Sequence, residues 1–349
     1  MGIGLDLLHW YSIHKRDLPW RNTRDPYAIW LSEIILQQTR VEQGLPYFNR
    51  FIEAFPTVQD LASASEDKVL KLWQGLGYYS RARNLQKAAK YIVKQCEGVF
   101  PSNYAELLNL PGVGPYTAAA IASFAYNEAV AVVDGNVYRF LSRLYAIGTP
   151  IPSSAAHNEF KAIAEQLMPQ GKADEFNQAM MEMGALICTP KQMQCDACPV
   201  NHYCLALKQN RVAELPVKAT KTKVKTIYLN FLHFRYQDRL YIQKRDSSSI
   251  WKGLYQFPLY ESSEELTTSS LKKQLIERYH LAKFTITETV AMQHLLSHRK
   301  IEAKIWQIEL AAPLGDLKND IFEIGEAEWE TYPVPRLLDN YWREFYVSK

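Results

Sequence analysis

The sequence lacks an apolar run long enough to cross a membrane. Its most apolar stretch, residues 115–133, is interrupted by Asn127 and Glu128. A membrane-spanning helix needs about 20 consecutive apolar residues, so this stretch predicts a buried core helix instead. The first residues carry charged side chains and no apolar segment of the kind found in signal peptides. We therefore expect neither a membrane partner nor a secretion signal, and we expect the protein in the cytoplasm.

Cysteine is scarce, and four of the five cysteines fall within residues 188–204. This crowding disfavours a disulfide framework spread over the chain and is typical of a metal site in a reducing compartment. The spacing contains one Cys-x-x-Cys pair, whereas zinc ribbons usually have two. Four thiolates in a short loop can bind zinc or an iron-sulfur cluster. The candidate ligands are Cys188, Cys195, Cys198 and Cys204, while Cys96 stands apart as an expected core or free thiol.

A strong excess of charge of either sign is also missing, since the net charge is +3 over 349 residues. A nucleic acid would therefore have to bind through local patches rather than through a bulk basic field. One candidate patch is the glycine-flanked loop at residues 75–80, in which Tyr78 and Tyr79 precede Arg81 and Arg83. Aromatic rings stack on exposed bases while neighbouring cations contact phosphates. Buried tyrosines in an ordinary turn are the alternative, and the residues alone leave both open.

Two glycines one residue apart, Gly112 and Gly114, lie in the segment LPGVG between two helical patterns. Such a segment can turn tightly and expose backbone N–H groups. Pro115 suits the first turn of the next helix, whose positive end would face the same point as the loop. Loop and helix together are therefore suited to bind phosphate, although a plain turn before a helix has the same pattern.

Two carboxylates occupy positions that favour opposite protonation states. Asp134 precedes a helical pattern and is expected to be its N-cap, where backbone N–H groups and the helix dipole hold a carboxylate ionised. Glu33 lies in a predicted helix over residues 27–41 and has no cation three or four residues away. If it is buried among its apolar neighbours, Glu33 would have a raised pKa and carry a proton at neutral pH. A simple cap and a surface glutamate are the alternatives.

Several segments resemble the helix-hairpin-helix DNA glycosylases, and among them the adenine DNA glycosylases of the MutY type. These segments are RDLPWR, SEIILQQT, LPGVGPYTA, VDGNV and the cysteine loop, and the resemblance covers nearly the whole chain. It implies a mainly α N-terminal helix-hairpin-helix glycosylase fold with an iron-sulfur cluster loop, plus an α+β Nudix-like C-terminal domain. It also implies a base excision repair enzyme that removes adenine mispaired with 8-oxoguanine or guanine from double-stranded DNA, as a monomer, in the bacterial cytoplasm with the nucleoid.

The resemblance also implies roles for individual residues. Glu33 would be the general acid that protonates the adenine, and Asp134 would stabilise the positive sugar at C1′. Gln38 and Tyr78 would enter the duplex where the adenine leaves it. The four clustered cysteines would bind a [4Fe-4S] cluster that holds a basic loop against DNA. The remaining expected contacts to DNA or to the extruded base are Arg16, Trp20, Arg21, Leu36, Thr39, Gly112, Gly114, Tyr116 and Asn136.

Beyond a lysine-rich linker the apolar period changes from that of helices to that of strands. The segment WKGLYQFP, followed by a helix and more strands, is similar to a Nudix fold, but that helix lacks the adjacent glutamates that a Nudix hydrolase needs for magnesium. The glycosylases that the chain resembles carry a Phe-Ser-His type of loop for the opposite base. Here Leu296 replaces the aromatic residue, and Ser297 and His298 would read that base. The expected domains are 1–187 (helical glycosylase region), 188–210 (cluster loop), 211–225 (linker) and 226–349 (Nudix-like).

Tyr116 distinguishes between two kinds of glycosylase. Relatives with lyase activity carry a lysine just after the hairpin, as in LPGVGRKTA, and its amine attacks C1′, whereas tyrosine cannot form a Schiff base. We therefore expect a monofunctional glycosylase. An endonuclease III-like pyrimidine glycosylase with lyase activity is the alternative enzyme, and the Nudix-like half argues against it. A non-catalytic mismatch-binding protein is the alternative from another class, and the presence of both Glu33 and Asp134 argues against that.

Overall fold

In a computed structural model, the chain forms two compact units. The first comprises Met1–Ser63 and Asn84–Thr220, and the second comprises Ala64–Arg83 and Lys221–Lys349. Nothing in the sequence indicated that Ala64–Arg83 belongs to the second unit. No helix in the part of the chain that the structure describes is long and apolar enough to span a membrane. The described residues are 2–151, 153–218, 224–245, 250–296, 299–315 and 320–346.

Helices joined by short turns make up the chain before residue 209. In chain order they are α1 (Ile3–His14), α2 (Pro26–Leu36), α3 (Val41–Ala54), α4 (Val58–Ser63), α5 (Glu66–Trp73), α6 (Ser80–Gln95), α7 (Tyr104–Leu107), α8 (Pro115–Tyr126), α9 (Gly135–Leu144), α10 (Ser154–Leu167), α11 (Ala173–Leu186) and α12 (Leu205–Lys208). Because α8 consists largely of alanine, it can lie inside the unit, and its residues from Thr117 to Ala125 are all buried. This confirms that the apolar stretch forms a buried core helix.

α2 is shorter than the sequence pattern predicted. The pattern favoured helix over residues 27–41, but α2 ends at Leu36, and Gln38 has a φ of +56°. The chain turns here because α3 packs back against α2. Gly44 permits this close approach, since a Cβ at that position would lie 2.7 Å from the Leu36 side chain. Tertiary packing therefore overrides the local helical period at this point.

One hydrophobic core holds α9 and α11, two of the helices that line the site. Apolar side chains of α1, α9, α10 and α11 meet there, including the fully buried Phe160, Phe176 and Met180. Side chains packed this closely leave little freedom to the helices that carry them. The start of α9 and one face of α11 are thereby fixed in position.

The second unit is an α+β arrangement, as the sequence predicted. Its strands are β1 (Lys225–Tyr236), β2 (Arg239–Lys244), β3 (Tyr255–Gln256), β4 (Leu259–Ser262), β5 (Phe284–Leu296), β6 (Arg299–Leu310) and β7 (Ile321–Gly325), and its helices include α13 (Thr268–Tyr279) and α14 (Arg336–Tyr341). Within the described ranges the strand order is β3-β2-β1-β6-β5, with β4 on β1 and β7 on β2. The β1–β6 pair is parallel and the others are antiparallel. Leu271 and Leu275 of α13 pack on one face of this sheet.

α5 belongs to the second unit because polar contacts tie it to the strands. Asp67 accepts hydrogen bonds from Lys244 Nζ at 2.7 Å and from the Tyr255 hydroxyl at 2.8 Å. Lys71 Nζ donates to the backbone carbonyl of Tyr332 at 2.9 Å. A helix from the first quarter of the sequence therefore completes a unit built mainly from the last third of the chain.

Candidate active site

Glu33 lies on the buried face of α2 and is only 6% exposed. The Tyr116 hydroxyl, from the first turn of α8, donates a hydrogen bond of 2.6 Å to Glu33 Oε2. Burial raises the pKa of Glu33 to about 7; the Tyr116 hydrogen bond opposes this shift and the nearby Asp134 adds to it. Glu33 can therefore hold a proton near neutral pH, which a surface glutamate with an ordinary pKa could not do.

Asp134 is the N-cap of α9, as predicted. Its Oδ1 accepts hydrogen bonds from the backbone N–H groups of Asn136 at 2.9 Å and Val137 at 2.8 Å, and its Oδ2 accepts one from Asn136 Nδ2 at 2.7 Å. Burial raises the pKa of Asp134, and these three N–H donors lower it. The cap bonds were expected from the sequence, but the opposing effect of burial was not. Asn136 and Val137 supply the three donors, whose bonds favour the ionised carboxylate, although burial has the larger effect and the net shift of the pKa is upward.

The two carboxylates line one cavity of about 160 Å³ in the first unit. Most of the residues that the resemblance associated with the extruded base lie around the same cavity, although they come from distant parts of the sequence. Besides Glu33 and Asp134 they are Arg16, Trp20, Arg21, Leu36, Thr39, Tyr116 and Asn136. The fold thus brings together side chains from α2, α8, α9 and the loop before α2.

One face of α11 forms a wall of this cavity that the sequence analysis missed. Glu182 is fully buried there, and its carboxylate forms paired hydrogen bonds with the guanidinium groups of Arg16 and Arg21, at 2.7 to 2.9 Å. Burial alone would raise the pKa of Glu182, but hydrogen bonds from the two arginines hold it at about 2. The sequence did contain a sign of this residue: Glu182 lies among methionines, just as Glu33 lies among isoleucines, and a glutamate within an apolar segment is a candidate for a buried carboxylate. The same face contributes Gln178, Met181 and Ala185.

The other expected contact residues do not line the cavity. Gln38, Gly112 and Gly114 belong to the first unit but lie away from the cavity wall. Tyr78 belongs to the second unit, where its ring is 48% exposed. Ser297 and His298 lie outside the described residues. The neighbouring Leu296 packs, partly buried, against the core of the second unit.

The glycine loop before α8 has the backbone that its sequence predicted. Gly112 has a φ of +75°, and a Cβ there would lie 2.5 Å from the Asn84 side chain, so no larger residue fits without displacement. Gly114 is the N-cap and Pro115 is the first residue of the helix. Gly114 has no side chain to bond the first N–H groups, which leaves them for a ligand.

The four clustered cysteines surround a second, smaller cavity of about 30 Å³. Arg143, on α9, donates from Nη1 to Cys188 Sγ at 3.3 Å, and the Cys204 thiol donates to the Arg143 backbone carbonyl at 3.3 Å. Burial raises the pKa of the Cys198 thiol to about 11. Within the described ranges, no three His, Cys, Asp or Glu side chains are arranged to hold a single metal ion.

α9 connects the cysteine loop with the active-site carboxylate. Arg139 lies one turn into this helix, and its guanidinium donates to Asn136 Oδ1 at 2.9 Å and to the Cys188 carbonyl at 2.7 Å. Asn136 in turn donates to Asp134. A continuous chain of hydrogen bonds therefore runs from Cys188 to the N-cap carboxylate.

Two parts of the chain match known families. Residues 31–166 match the HhH-GPD superfamily of base excision DNA repair proteins, and residues 230–344 match the NUDIX domain. Among curated proteins, the chain is 37% identical to an adenine DNA glycosylase of Buchnera aphidicola subsp. Schizaphis graminum, over 77% of this chain and 78% of the relative. It is 30% identical to the adenine DNA glycosylase of Schizosaccharomyces pombe, over 98% of this chain and 89% of the relative.

Solved structures give the same fold for the helical part. A thermostable thymine-DNA glycosylase superposes with a TM-score of 0.55 at 30% identity, covering 59% of this chain and 95% of its own. An endonuclease III in a non-covalent complex with DNA superposes with a TM-score of 0.51 at 23% identity, covering 60% of this chain and 96% of its own. The second likeness concerns the fold alone. The mainly α glycosylase fold predicted from the sequence is thereby confirmed.

Proposed function

The chain belongs to the adenine DNA glycosylase family, and on this premise we propose that it removes adenine mispaired with 8-oxoguanine or guanine from double-stranded DNA. The family membership makes it a base excision repair hydrolase that cleaves the N-glycosidic bond. We also propose that the protein works as a monomer in the bacterial cytoplasm with the nucleoid.

The observation that carries the mechanism is a single cavity lined by two carboxylates in unlike settings. Glu33 is the proposed general acid, because its pKa of about 7 lets it hold and release a proton near neutral pH. The Tyr116 hydroxyl donates to Oε2, so the acidic proton of Glu33 is left on Oε1. Transfer of that proton to N7 of the extruded adenine turns the base into a neutral leaving group.

Asp134 is proposed to act on the sugar. As the C1′–N9 bond breaks, its electron pair stays with the adenine and positive charge develops at C1′. The Asp134 carboxylate, whose oxygens accept three N–H hydrogen bonds, stabilises that charge or bonds to C1′ transiently. Water then adds to C1′ and leaves an abasic site. Tyr116 has no amine to form a Schiff base, and this supports release of the base without strand cleavage.

DNA binding is proposed to divide between the two units. The N–H groups at the glycine loop and at the start of α8 would bind a phosphate, as helix N-termini do. Gln38 and Tyr78 would fill the space left by the extruded base, while Trp20 and Leu36 would form apolar walls of the pocket that receives it. Ser297 and His298 would read the opposite base, because 8-oxoguanine has an N7–H donor where guanine has an acceptor.

The four cysteines are proposed to hold a [4Fe-4S] cluster. The fit rests on two features of the site: four thiols line one cavity, and a guanidinium lies beside one sulfur. Iron binds the thiolate forms, and the Arg143 charge lowers the pKa of Cys195 and Cys204 against the larger rise that burial causes. When bound, the cluster would stabilise the conformation of the loop and would take no part in the hydrolysis. Cys188, Cys195, Cys198 and Cys204 are the proposed ligands.

The test uses duplexes that differ only in the base opposite a single adenine. Purified protein is incubated with adenine opposite 8-oxoguanine, guanine or thymine, and free adenine and strand breaks are measured with and without alkali. We expect release from the first two duplexes and breaks only after alkali. Release from all three at one rate would refute the mispair preference. Breaks without alkali, together with a borohydride-trapped complex, would refute the monofunctional mechanism.

A further inference from the structure

The loop before α6 presents an exposed tyrosine from an uncommon backbone conformation. Tyr78 has a φ of +47° with its ring 48% exposed, and Gly77 beside it has a φ of +74°. Glycine adopts such angles readily, whereas an aromatic residue does so only where surrounding contacts hold it. The contacts that hold Tyr78 therefore determine whether its ring is presented to solvent.

Arg81 supplies several of these contacts from the first turn of α6. Its side chain points back into the loop and the residue is only 9% exposed. Nη2 donates to the carbonyl oxygens of Gly77 at 3.2 Å and Leu76 at 3.4 Å, and Trp73 Nε1 donates to the same Gly77 oxygen at 3.0 Å. The loop carbonyls are thereby bonded inward while the next side chain, Tyr78, faces outward.

The guanidinium of Arg81 also lies against two aromatic rings. Its central carbon is 5.6 Å from the centroid of Tyr78 and 5.1 Å from that of Trp73, both within the range of cation–π attraction. Burial lowers the pKa of Arg81 to about 10, so the group stays charged at neutral pH. One side chain thus contacts the backbone of the loop, the ring that the loop presents and the helix residue beneath it.

We propose that Arg81 is a positioning residue that holds Tyr78 as a preformed wedge, ready to enter the base stack. A loop already ordered in the free protein loses less conformational freedom on binding, so more of the interaction with DNA remains for opening the base pair. The inference rests on the proposed function, since a wedge has a role only where a base leaves the duplex. Arg81 itself does not line the cavity that contains Glu33 and Asp134.

The test compares a fully paired duplex with one whose target is already open. Single-turnover release of adenine opposite 8-oxoguanine is measured in an intact duplex, and again with mismatched pairs flanking the target. We expect Arg81→Met to slow release from the intact duplex by roughly tenfold, because two cation–π contacts and two hydrogen bonds are lost. With the opened target it should act at nearly the wild-type rate. The release rate of Arg81→Lys should lie between those of wild type and Arg81→Met, because lysine keeps the positive charge but lacks the planar guanidinium with its several N–H donors.

Two further variants separate positioning from general loss of structure. Arg278→Met removes another guanidinium that lies 5.7 Å from a tyrosine ring, on α13, and should leave both rates unchanged. Tyr78→Ala should slow release from the intact duplex, and adding Arg81→Met to it should slow release no further. Equal slowing of Arg81→Met on both duplexes, or full additivity with Tyr78→Ala, overturns the proposal.

A readout without base release distinguishes this proposal from the proposed function. 2-Aminopurine placed beside the target brightens when its stacking is disturbed, whether or not adenine is hydrolysed. Wild-type protein should raise this fluorescence, and Arg81→Met should raise it several-fold less. An equal rise with both proteins refutes the positioning role even if adenine is released. Failure of wild-type protein to release adenine, with the fluorescence difference intact, would count against the hydrolase and not against the wedge.

Discussion

Two helices that line the candidate active-site cavity, α2 and α11, each carry a buried glutamate, and the pKa values of the two glutamates shift in opposite directions. On α2, Glu33 faces a tyrosine hydroxyl, and its pKa is raised to about 7. On α11, Glu182 faces two guanidinium groups, and its pKa is held at about 2. Burial acts in the same direction on both carboxyls. The partner therefore decides the outcome: a neutral hydroxyl leaves an acid that can give up a proton, and two cations leave a fixed carboxylate.

The largest expected effect is on catalysis at the α2 wall. Glu33→Gln keeps the volume of the side chain but removes its acidic proton, so DNA binding should persist while base release falls by about 10²- to 10⁴-fold. Single-turnover release from adenine:8-oxoguanine duplex, with affinity measured in parallel, checks this. Release within a few-fold of wild type would remove Glu33 from the role of general acid.

The next largest effect is a difference in unfolding free energy between variants of Glu182 and Glu33. Glu182→Gln leaves two arginines beside a neutral amide, and breaking a buried charge pair of this kind costs about 3 kcal/mol of unfolding free energy. Urea unfolding of Glu182→Gln and Glu33→Gln at pH 8 measures the difference. Glu33→Gln should not be destabilised there, because it removes a carboxyl whose ionised form is disfavoured by burial. Equal loss in both variants would show that the ion pairs of Glu182 with the two arginines do not set the cost.

The pH dependence of stability should have opposite signs for the two residues. The pKa of Glu33 rises from 4.5 to about 7 on folding, so between these pH values the folded state binds more protons than the unfolded state. The free energy of unfolding therefore falls as pH increases through this range, by up to about 3 kcal/mol. The pKa of Glu182 is depressed to about 2, so its contribution is present above pH 4.5 and lost as pH falls towards 2. Unfolding of wild type and each Gln variant between pH 3 and 8 tests both signs. A Glu33→Gln variant with the wild-type slope between pH 5 and 7 would contradict the first.

The smallest expected effect concerns the hydroxyl that distinguishes the α2 wall. The Tyr116 hydrogen bond lowers the pKa of Glu33, so Tyr116→Phe should raise that pKa further. The alkaline limb of the pH–rate profile, where the general acid loses its proton, should then move to higher pH with little change in the plateau rate. An unmoved limb, with Glu33→Gln inactive, would show that Tyr116 does not tune the acid.

Sequence alone identified one of the two walls. Glu33 and Asp134 were candidates because of local patterns, an apolar helix around the first and a helix start after the second, and the family resemblance supplied their roles. Glu182 also lies among apolar residues in the sequence, but its ion pairs could not be predicted because Arg16 and Arg21 lie far away in the sequence and only the packing of α1 and α11 brings them near. The end of α2 was missed for a similar reason, since close packing at Gly44 requires a turn that the helical period does not contain.

The position of α5 in the sequence affects the order in which the two units can fold during translation. Its partners Lys244, Tyr255 and Tyr332 are translated long after it, because the whole remainder of the first unit lies between them in the sequence. A domain that forms one continuous stretch can fold as it leaves the ribosome, N-terminal part first. Here Ala64–Arg83 must wait, because Asp67 and Lys71 stay without these partners until the last third of the chain emerges. No single cut in the linker can release the second unit whole, since one of its helices would remain on the other side.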